Sequence, residues 1–422
     1  MSNLKRNTFW SLLSIGTYAA GQWWILSFMA RMGKVEQIGY YSLALSVVTP
    51  LAVFSNLNLR YLYVANRASD LAFSDFLSLR KWMFVITLLI ILAVAFFSKY
   101  ELIIKLLIIT VGIYKLTESV SDMYFAFHQK NEQMSFITRS ILIRSSLLFV
   151  FFTATFYFTK DILVSSCVIV LIYLTTLLFI DSRLASVKFN FVGGGLQFLK
   201  GNNRAYYKKL YRLFIMGLPM GMSLMIYSAI IAVPRFFIEK YIGIEQLGIY
   251  SALYYLYSSI VLISIGLADA ALPSFVRLDN SGDQKAFWTL LFKYSKLTVV
   301  FIAGCVLIVS LFGDDLLTFS YGSLFSTYKE LFILGIIVSG FEIINKFLSV
   351  CMTAKKILNL QPILSLVTFV NILFMCVHMR ADITLTKVLY AQGFAFGFQM
   401  IATGIVLALT QKKSFIVSSH VV

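Results

Sequence analysis

The chain has 422 residues, of which 59% are hydrophobic and 13% charged, and its mean hydropathy is +0.84. A soluble domain carries about 25% charged residues, so composition excludes a soluble globular protein and points to an all-α polytopic membrane protein. A net charge of +17 would suggest nucleic acid in a soluble chain; here topology accounts for it, and no nucleic-acid partner is expected.

Runs near twenty apolar residues predict twelve transmembrane helices, at about 8–30, 38–59, 82–98, 102–126, 140–158, 162–180, 211–234, 247–270, 294–312, 331–353, 362–379 and 385–409. The first span follows Lys5 and Arg6 and is longer than a signal-peptide core, so it reads as an uncleaved helix. It carries Gly16 and Gly21 and ends at Arg31. The second contains Pro50 and ends at Arg60. The fourth places Lys115, Glu118 and Asp122 at spacings of three and four, on one helix face. Arg139 stands at the mouth of the fifth span and Arg144 a few residues inside it. The seventh has Gly217-Leu218-Pro219-Met220-Gly221, then Pro234 and Arg235; Asp269 and Pro273 lie at the end of the eighth. The tenth carries Glu342 and Lys346, four apart. Breakers are tolerated in spans where neighbouring helices or a cavity re-satisfy the backbone, so spans 1, 2, 7 and 8 are the expected cavity walls.

Glu36-Gln37-Ile38-Gly39-Tyr40-Tyr41-Ser42 returns as Glu245-Gln246-Leu247-Gly248-Ile249-Tyr250-Ser251, at an offset of 209 (245 − 36). Each copy sits between two apolar segments, so the repeated unit is membrane-spanning. Two like halves of this kind are the sequence signature of a secondary transporter. Six spans per half enter the membrane in the same sense, which implies two pseudo-symmetric six-helix lobes with a cavity between them. The expected lobes are 1–181 and 211–422, joined by a basic cytoplasmic linker, 182–210, that holds Gly193-Gly194-Gly195. With the basic residues near span ends (Arg144, Arg212, Lys296, Lys387) counted to the adjoining connection, the termini and even-numbered connections carry 24 Lys/Arg and the odd-numbered connections 9, which places both termini in the cytoplasm.

An ionised residue near the bilayer centre costs roughly 2.5–3.5 kcal/mol even on the lenient insertion scale, so Lys115, Glu118, Glu342 and Lys346 would together cost about 10–14 kcal/mol facing lipid. They are expected to face the interior. There they serve either as self-satisfied Lys–Glu pairs or, for Glu118, Asp122 and Glu342, as candidates for ion coupling. Arg31, Arg144 and Arg235, with Lys115 and Lys346, suit a cationic substrate-binding cavity, since guanidinium holds phosphate in a fork geometry. The 209 offset maps Arg60 onto Asp269, and opposite charges at related helix ends suggest a gate pair; the alternative is that each snorkels to headgroups. The four cysteines lie in apolar segments and the three histidines are scattered. Neither gives metal-ligand spacing, and no metal or cofactor is expected.

Ala30-Arg31-Met32-Gly33 leading into Glu36–Ser42, and Arg235-Phe236-Phe237-Ile238 leading into Gly243–Ser251, resemble the polysaccharide transporter (Wzx-type O-antigen flippase) branch of the multidrug/oligosaccharidyl-lipid/polysaccharide (MOP) superfamily. The family pattern is an A-R-x-L-G…G-x-Y run after the first span and D-R-x-x-I-G…G-x-Y-S after the seventh. One departure stands out: the family's acid before the seventh-span arginine is Pro234 here, so Arg235 must find another partner. The resemblance implies a MATE-like fold and an inner-membrane flippase that is not an enzyme. It implies that undecaprenyl-pyrophosphate-linked repeat units move from the cytoplasmic to the periplasmic leaflet by ion-coupled alternating access. It also implies contact with membrane lipids and with polysaccharide polymerase and chain-length machinery.

Two rivals share parts of this pattern. A cation-coupled drug exporter would need an acidic cavity, yet no acid lies within spans 1, 2 or 7. A membrane enzyme of polysaccharide assembly, such as a polymerase or acyltransferase, usually needs a large external loop or a buried His or acid constellation. The longest external connection here is only 313–329, and the half-chain repeat would be left unexplained.

Overall fold

The computed structural model describes residues 3–65, 71–183, 204–357 and 359–418, and these are almost wholly helical. In chain order the helices are α1 (Asn3–Met32), α2 (Val35–Asn56), the short α3 (Leu59–Ala65), α4 (Phe73–Phe97), α5 (Leu102–Lys130), α6 (Met134–Thr159) and α7 (Ile162–Asp181). They continue with α8 (Arg204–Tyr241), α9 (Ile244–Asn280), α10 (Gln284–Tyr321), α11 (Lys329–Ala354), α12 (Leu360–His378) and α13 (Leu385–Ser418). Single π-helical turns interrupt α6 at Leu148–Phe152 and close α7 at Leu177–Asp181.

Among the described residues, ten helices are long and apolar enough to cross a membrane, α2 and α3 counting as one. The other two expected spans are α1 and α5, of 30 and 29 residues. They fall short in apolarity and not in length, because α5 carries Lys105, Lys115, Glu118 and Asp122 and α1 interleaves Ser, Thr and Gln with its apolar residues. Leu89, Phe96 and Phe97 on α4 and Leu307, Leu311 and Phe319 on α10 are exposed. Contiguous apolar faces of this kind are not left to water; they mark a lipid-facing surface.

Helix starts differ from the expected ones in a consistent way. The spans expected to begin near 82, 211 and 294 begin at Phe73, Arg204 and Gln284. α10 has 38 residues, about 57 Å at 1.5 Å per residue against a hydrocarbon core of ~30 Å. Hydropathy therefore reads only the lipid-crossing part of a longer rod. Pro50, Pro219, Pro234 and Pro273 all lie inside continuous helices.

The chain forms two compact units, Met1–Ser228 and Ala229–Val422. In the first, α2 and α4 pack on α5 and α1 packs on α6. A core of Leu57, Phe76, Met123 and Leu213 lies at the end where α2 stops. Leu57 and Asn58 are consecutive left-handed residues, with φ of 46° and 49°. Such a pair is unfavourable for side chains larger than glycine, and the full burial of Leu57 holds it. This bend ends α2, and α3 then packs on α5. In the second unit, α11 is the central helix, packed by α9, α10 and α13. Of the expected 182–210 linker, residues 184–203, with the triple glycine, lie outside the described residues.

The repeat opens α2 and α9 at equivalent points, Val35 and Ile244. Its aligned tyrosines, Tyr41 and Tyr250, are buried in both units and bond different partners. Tyr41 shares a 2.8 Å hydroxyl–hydroxyl bond with Tyr114 of α5, and Tyr250 donates to Gln392 Oε1 of α13 at 2.9 Å. Gly33 is needed for space, because a Cβ there would stand 2.3 Å from Gln37 Oε1 and 2.7 Å from the Phe156 ring. That clearance lets Gln37 Nε2 donate to the Lys160 carbonyl at 2.7 Å.

Candidate functional site

Three charged centres lie in the N-terminal unit, fully buried in one case and partly exposed in the other two. The first is on α5, where Lys115 Nζ lies 2.9 Å from Glu118 Oε2, one helical turn away. Lys115 also donates to the Tyr18 hydroxyl of α1 at 3.3 Å. The side chains of Lys115 and Glu118 are 15% and 23% exposed, so protein covers most of each.

The second centre continues from the first, since the Arg144 guanidinium acts electrostatically on Glu118. Arg144 Nη2 pairs with Asp181 Oδ2 at 2.9 Å, in side chains only 5% and 0% exposed. Its remaining donors reach Ser121 Oγ at 3.0 Å and Thr176 Oγ1 at 3.1 Å. The Tyr173 ring lies 4.6 Å from the guanidinium carbon, and Ser140 donates to the other Asp181 oxygen. A buried pair holds only with this degree of added hydrogen bonding.

The third centre gathers at the bend after α2. Arg60 on α3 pairs with Asp122 Oδ1 at 2.7 Å and donates through Nε to Gln129 Oε1 at 2.7 Å. Arg80 of α4 approaches the same carboxylate at 4.0 Å, with its side chain 1% exposed. Arg80 Nη1 donates to Asn56 Oδ1 and, at 2.9 Å, to Ser119 Oγ. Its Nε and Nη2 are buried without a hydrogen-bond partner. A buried donor in that condition typically costs about 1–3 kcal/mol. A pocket of about 280 Å³ opens here, lined by Asn56, Asn58, Arg60, Arg80, Asp122 and Gln129 among others.

In the C-terminal unit Arg235 is 6% exposed, with its guanidinium carbon 4.7 Å from the Tyr254 ring. Its Nε is buried without a hydrogen-bond partner. Where the family pattern has an acid and this chain has Pro234, an aromatic face holds the arginine instead, by cation–π attraction. Tyr254 packs on Tyr257 at 5.2 Å, and the Glu342 carboxylate of α11 acts on it electrostatically.

The expected residues thus separate into groups. Lys115 pairs with Glu118 in the first centre, Arg144 with Asp181 in the second, and Asp122 with Arg60 in the third. Arg235 stacks on Tyr254, and Glu342 is buried on α11. Arg31 lies exposed at the end of α1 and Lys346 is half-buried on α11. Of the expected gate pair, Arg60 engages Asp122, and the Asp269 side chain lies outside the described residues. Sequence reasoning passed over Arg80 and Asp181, which fell in stretches read as connections. Arg80 had a readable mark, because it continues the buried stripe of Phe73, Phe76, Leu77, Met83 and Thr87 at helical spacing. No three His, Cys, Asp or Glu among the described residues are grouped to hold a metal ion.

These features define a polytopic α-helical membrane protein with ionised groups packed inside each half. No protein-family profile matches the chain. In sequence it is 25% identical over 316 residues to the capsular polysaccharide biosynthesis protein CapF of Staphylococcus aureus, across 75% of this chain and 76% of that protein. In structure it is similar to the lipid II flippase MurJ in an inward closed conformation, with TM-score 0.70 and 14% identity over 95% of this chain and 87% of that one. It is similar also to a multidrug resistance MATE family transporter of the MOP superfamily in an inward-facing conformation, with TM-score 0.67 and 12% identity over 96% of each chain. The chain has the fold of MOP-superfamily transporters, and a capsular polysaccharide relative fits the polysaccharide branch that its repeat motifs resemble.

Proposed function

We propose that the protein is a flippase for a lipid-linked oligosaccharide, undecaprenyl pyrophosphate carrying a surface-polysaccharide repeat unit. It moves this substrate from the cytoplasmic to the outer leaflet of a bacterial cytoplasmic membrane by alternating access, coupled to an ion. The observation that carries the reading is the coincidence of a MOP-type fold with a sequence relative in capsule biosynthesis. The buried guanidiniums of Arg80 and Arg235, each with a donor left without an acceptor, support an anionic cargo, and argue against the cationic drugs that an exporter of this fold would carry. Counting α1 and α5 as spans gives twelve crossings, and the bias of 24 to 9 in Lys and Arg puts both termini in the cytoplasm.

Deletion with complementation tests this directly. Surface polysaccharide should disappear while lipid-linked repeat units accumulate in the cytoplasmic leaflet. Repeat units that still reach the outer leaflet would refute the flippase. For the coupling ion, Glu118→Gln and Glu342→Gln are measured in pH-driven transport. At least one should lose its proton dependence; unchanged dependence in both removes these residues from coupling.

A further inference from the structure

The centre at the bend between α2 and α3 has a property its ion pairs do not use. Two guanidiniums, Arg60 and Arg80, flank one carboxylate, Asp122, so the cluster carries a surplus positive charge. Arg60 spends its charge on Asp122 at 2.7 Å. Arg80 stands farther off, at 4.0 Å, and keeps its Nε–H and both Nη2 hydrogens without an acceptor although its side chain is 1% exposed. It lines a pocket of about 280 Å³ whose other polar walls include the side-chain amides of Asn56, Asn58 and Gln129. Guanidinium donors left unfilled in a concave, partly desolvated place are the chemistry that binds oxyanions in a fork. Amides beside a carboxylate supply the donors and acceptors that hydroxyls need. The volume lies just below the usual ~300–1,000 Å³ of small-molecule pockets, which fits one phosphoryl group with its nearest substituent and not an oligosaccharide.

We propose that this pocket is a phosphate-binding site, in which Arg80 grips the phosphoryl oxygens through Nε and Nη2 while Arg60 and Asp122 hold its mouth. Through the flippase reading, on which only the identity of the phosphate bearer rests, the site anchors the phosphoryl end of the lipid-linked cargo. Arg80 sits seven residues into α4, about 10 Å from the start of that helix. The site is therefore within reach of one membrane surface.

The test is equilibrium binding of radiolabelled inorganic pyrophosphate to the full chain in phosphatidylcholine nanodiscs. Wild type should bind saturably, Arg80→Gln at least tenfold more weakly, and Arg80→Lys in between, because lysine keeps the charge and loses the fork. Thermal unfolding establishes that each variant is folded. Should Arg80→Gln not fold, Arg60→Gln, whose side chain is 32% exposed, should weaken binding by a similar factor. Adding phosphatidic acid to the nanodiscs separates the two sources of phosphate. Competition with pyrophosphate in wild type supports a lipid-borne phosphate, and its absence supports a soluble one. Wild-type affinity in every folded variant, or no saturable binding in wild type, overturns the site and leaves the flippase reading standing. Loss of binding in Arg80→Gln, together with intact surface polysaccharide in a deletion strain, overturns the flippase and leaves the site.

Discussion

Asp181→Ala is the most demanding perturbation of the N-terminal unit. It removes the 2.9 Å partner of an arginine whose side chain is 5% exposed. Breaking a buried pair by deleting one member typically costs 3–5 kcal/mol, because the remaining charge is left uncompensated. Arg144 would keep Ser121, Thr176 and the Tyr173 ring, which places the expected loss near the lower bound, at about 3 kcal/mol. Ser140 loses its acceptor as well, adding about 1 kcal/mol. The double replacement Arg144→Met with Asp181→Leu removes both charges and fills the space with apolar atoms. It should recover most of the loss, since apolar replacements of buried pairs are often neutral. The assay is reversible unfolding in mixed micelles with all four members of the double-mutant cycle. A loss below about 1 kcal/mol for Asp181→Ala, or a double variant as unstable as the single one, would refute the reasoning.

Three further outcomes are expected. Gly217→Ala brings a Cβ to 2.7 Å from the Leu57 carbonyl oxygen and should lower stability by about 1–3 kcal/mol as overpacking. Gly404→Ala, which meets nothing within 4 Å and lies inside α13, should hold or raise stability by up to about 1 kcal/mol; a comparable loss in both variants would contradict the packing. Tyr254→Leu removes the ring beneath Arg235 and should lose about 2 kcal/mol, whereas Tyr254→Phe keeps the face and stays close to wild type in the same unfolding assay. Asp382, in the turn before α13, bonds Lys387, which holds its carboxyl below the usual aspartate range. A carboxylate with a depressed folded pKa adds stability above its unfolded pKa and loses it as pH falls through the folded one. The stability gap between wild type and Asp382→Asn should therefore shrink as pH drops from 7 to below ~3.9; a gap that grows would reverse the sign.

The half-chain repeat was legible because it needs only identity at a fixed offset, and the structure starts α2 and α9 at Val35 and Ile244, 209 residues apart. The charges of α5 were legible because an apolar run makes them conspicuous. Their sorting was not. Lys115, Glu118 and Asp122 share one face by spacing, yet Asp122 turns to Arg60 and Arg80. That choice depends on the Leu57–Asn58 bend, which no residue type announces. Hydropathy also hid Arg80 and Asp181. The first lies before its apolar run and the second after one, while both helices continue beyond the runs to include them.

The pairing pattern also bears on what the N-terminal unit can carry. Its three charged centres hold Lys115, Arg144, Arg60 and Arg80 against Glu118, Asp181 and Asp122. Three cations lie within 2.9 Å of their acids, and the fourth, Arg80, does not. A pair already closed offers a substrate little, because opening it exposes an uncompensated charge that costs about 3–5 kcal/mol. A surplus charge with unused donors carries no such penalty, and binding an ion of opposite sign relieves the desolvation it bears. On the proposed reading, the sign of that surplus selects the ion that the pocket takes. A carboxylate left over would favour cationic drugs; the guanidinium left over here favours an oxyanion. On this logic Arg80→Glu should do more than abolish phosphate binding. By reversing the surplus while Arg60 and Asp122 stay paired, it should give the pocket measurable affinity for a small organic cation, read as equilibrium binding of radiolabelled tetramethylammonium to the full chain in nanodiscs. Wild type should show none, and equal binding by both proteins would mean that the leftover charge does not decide the matter.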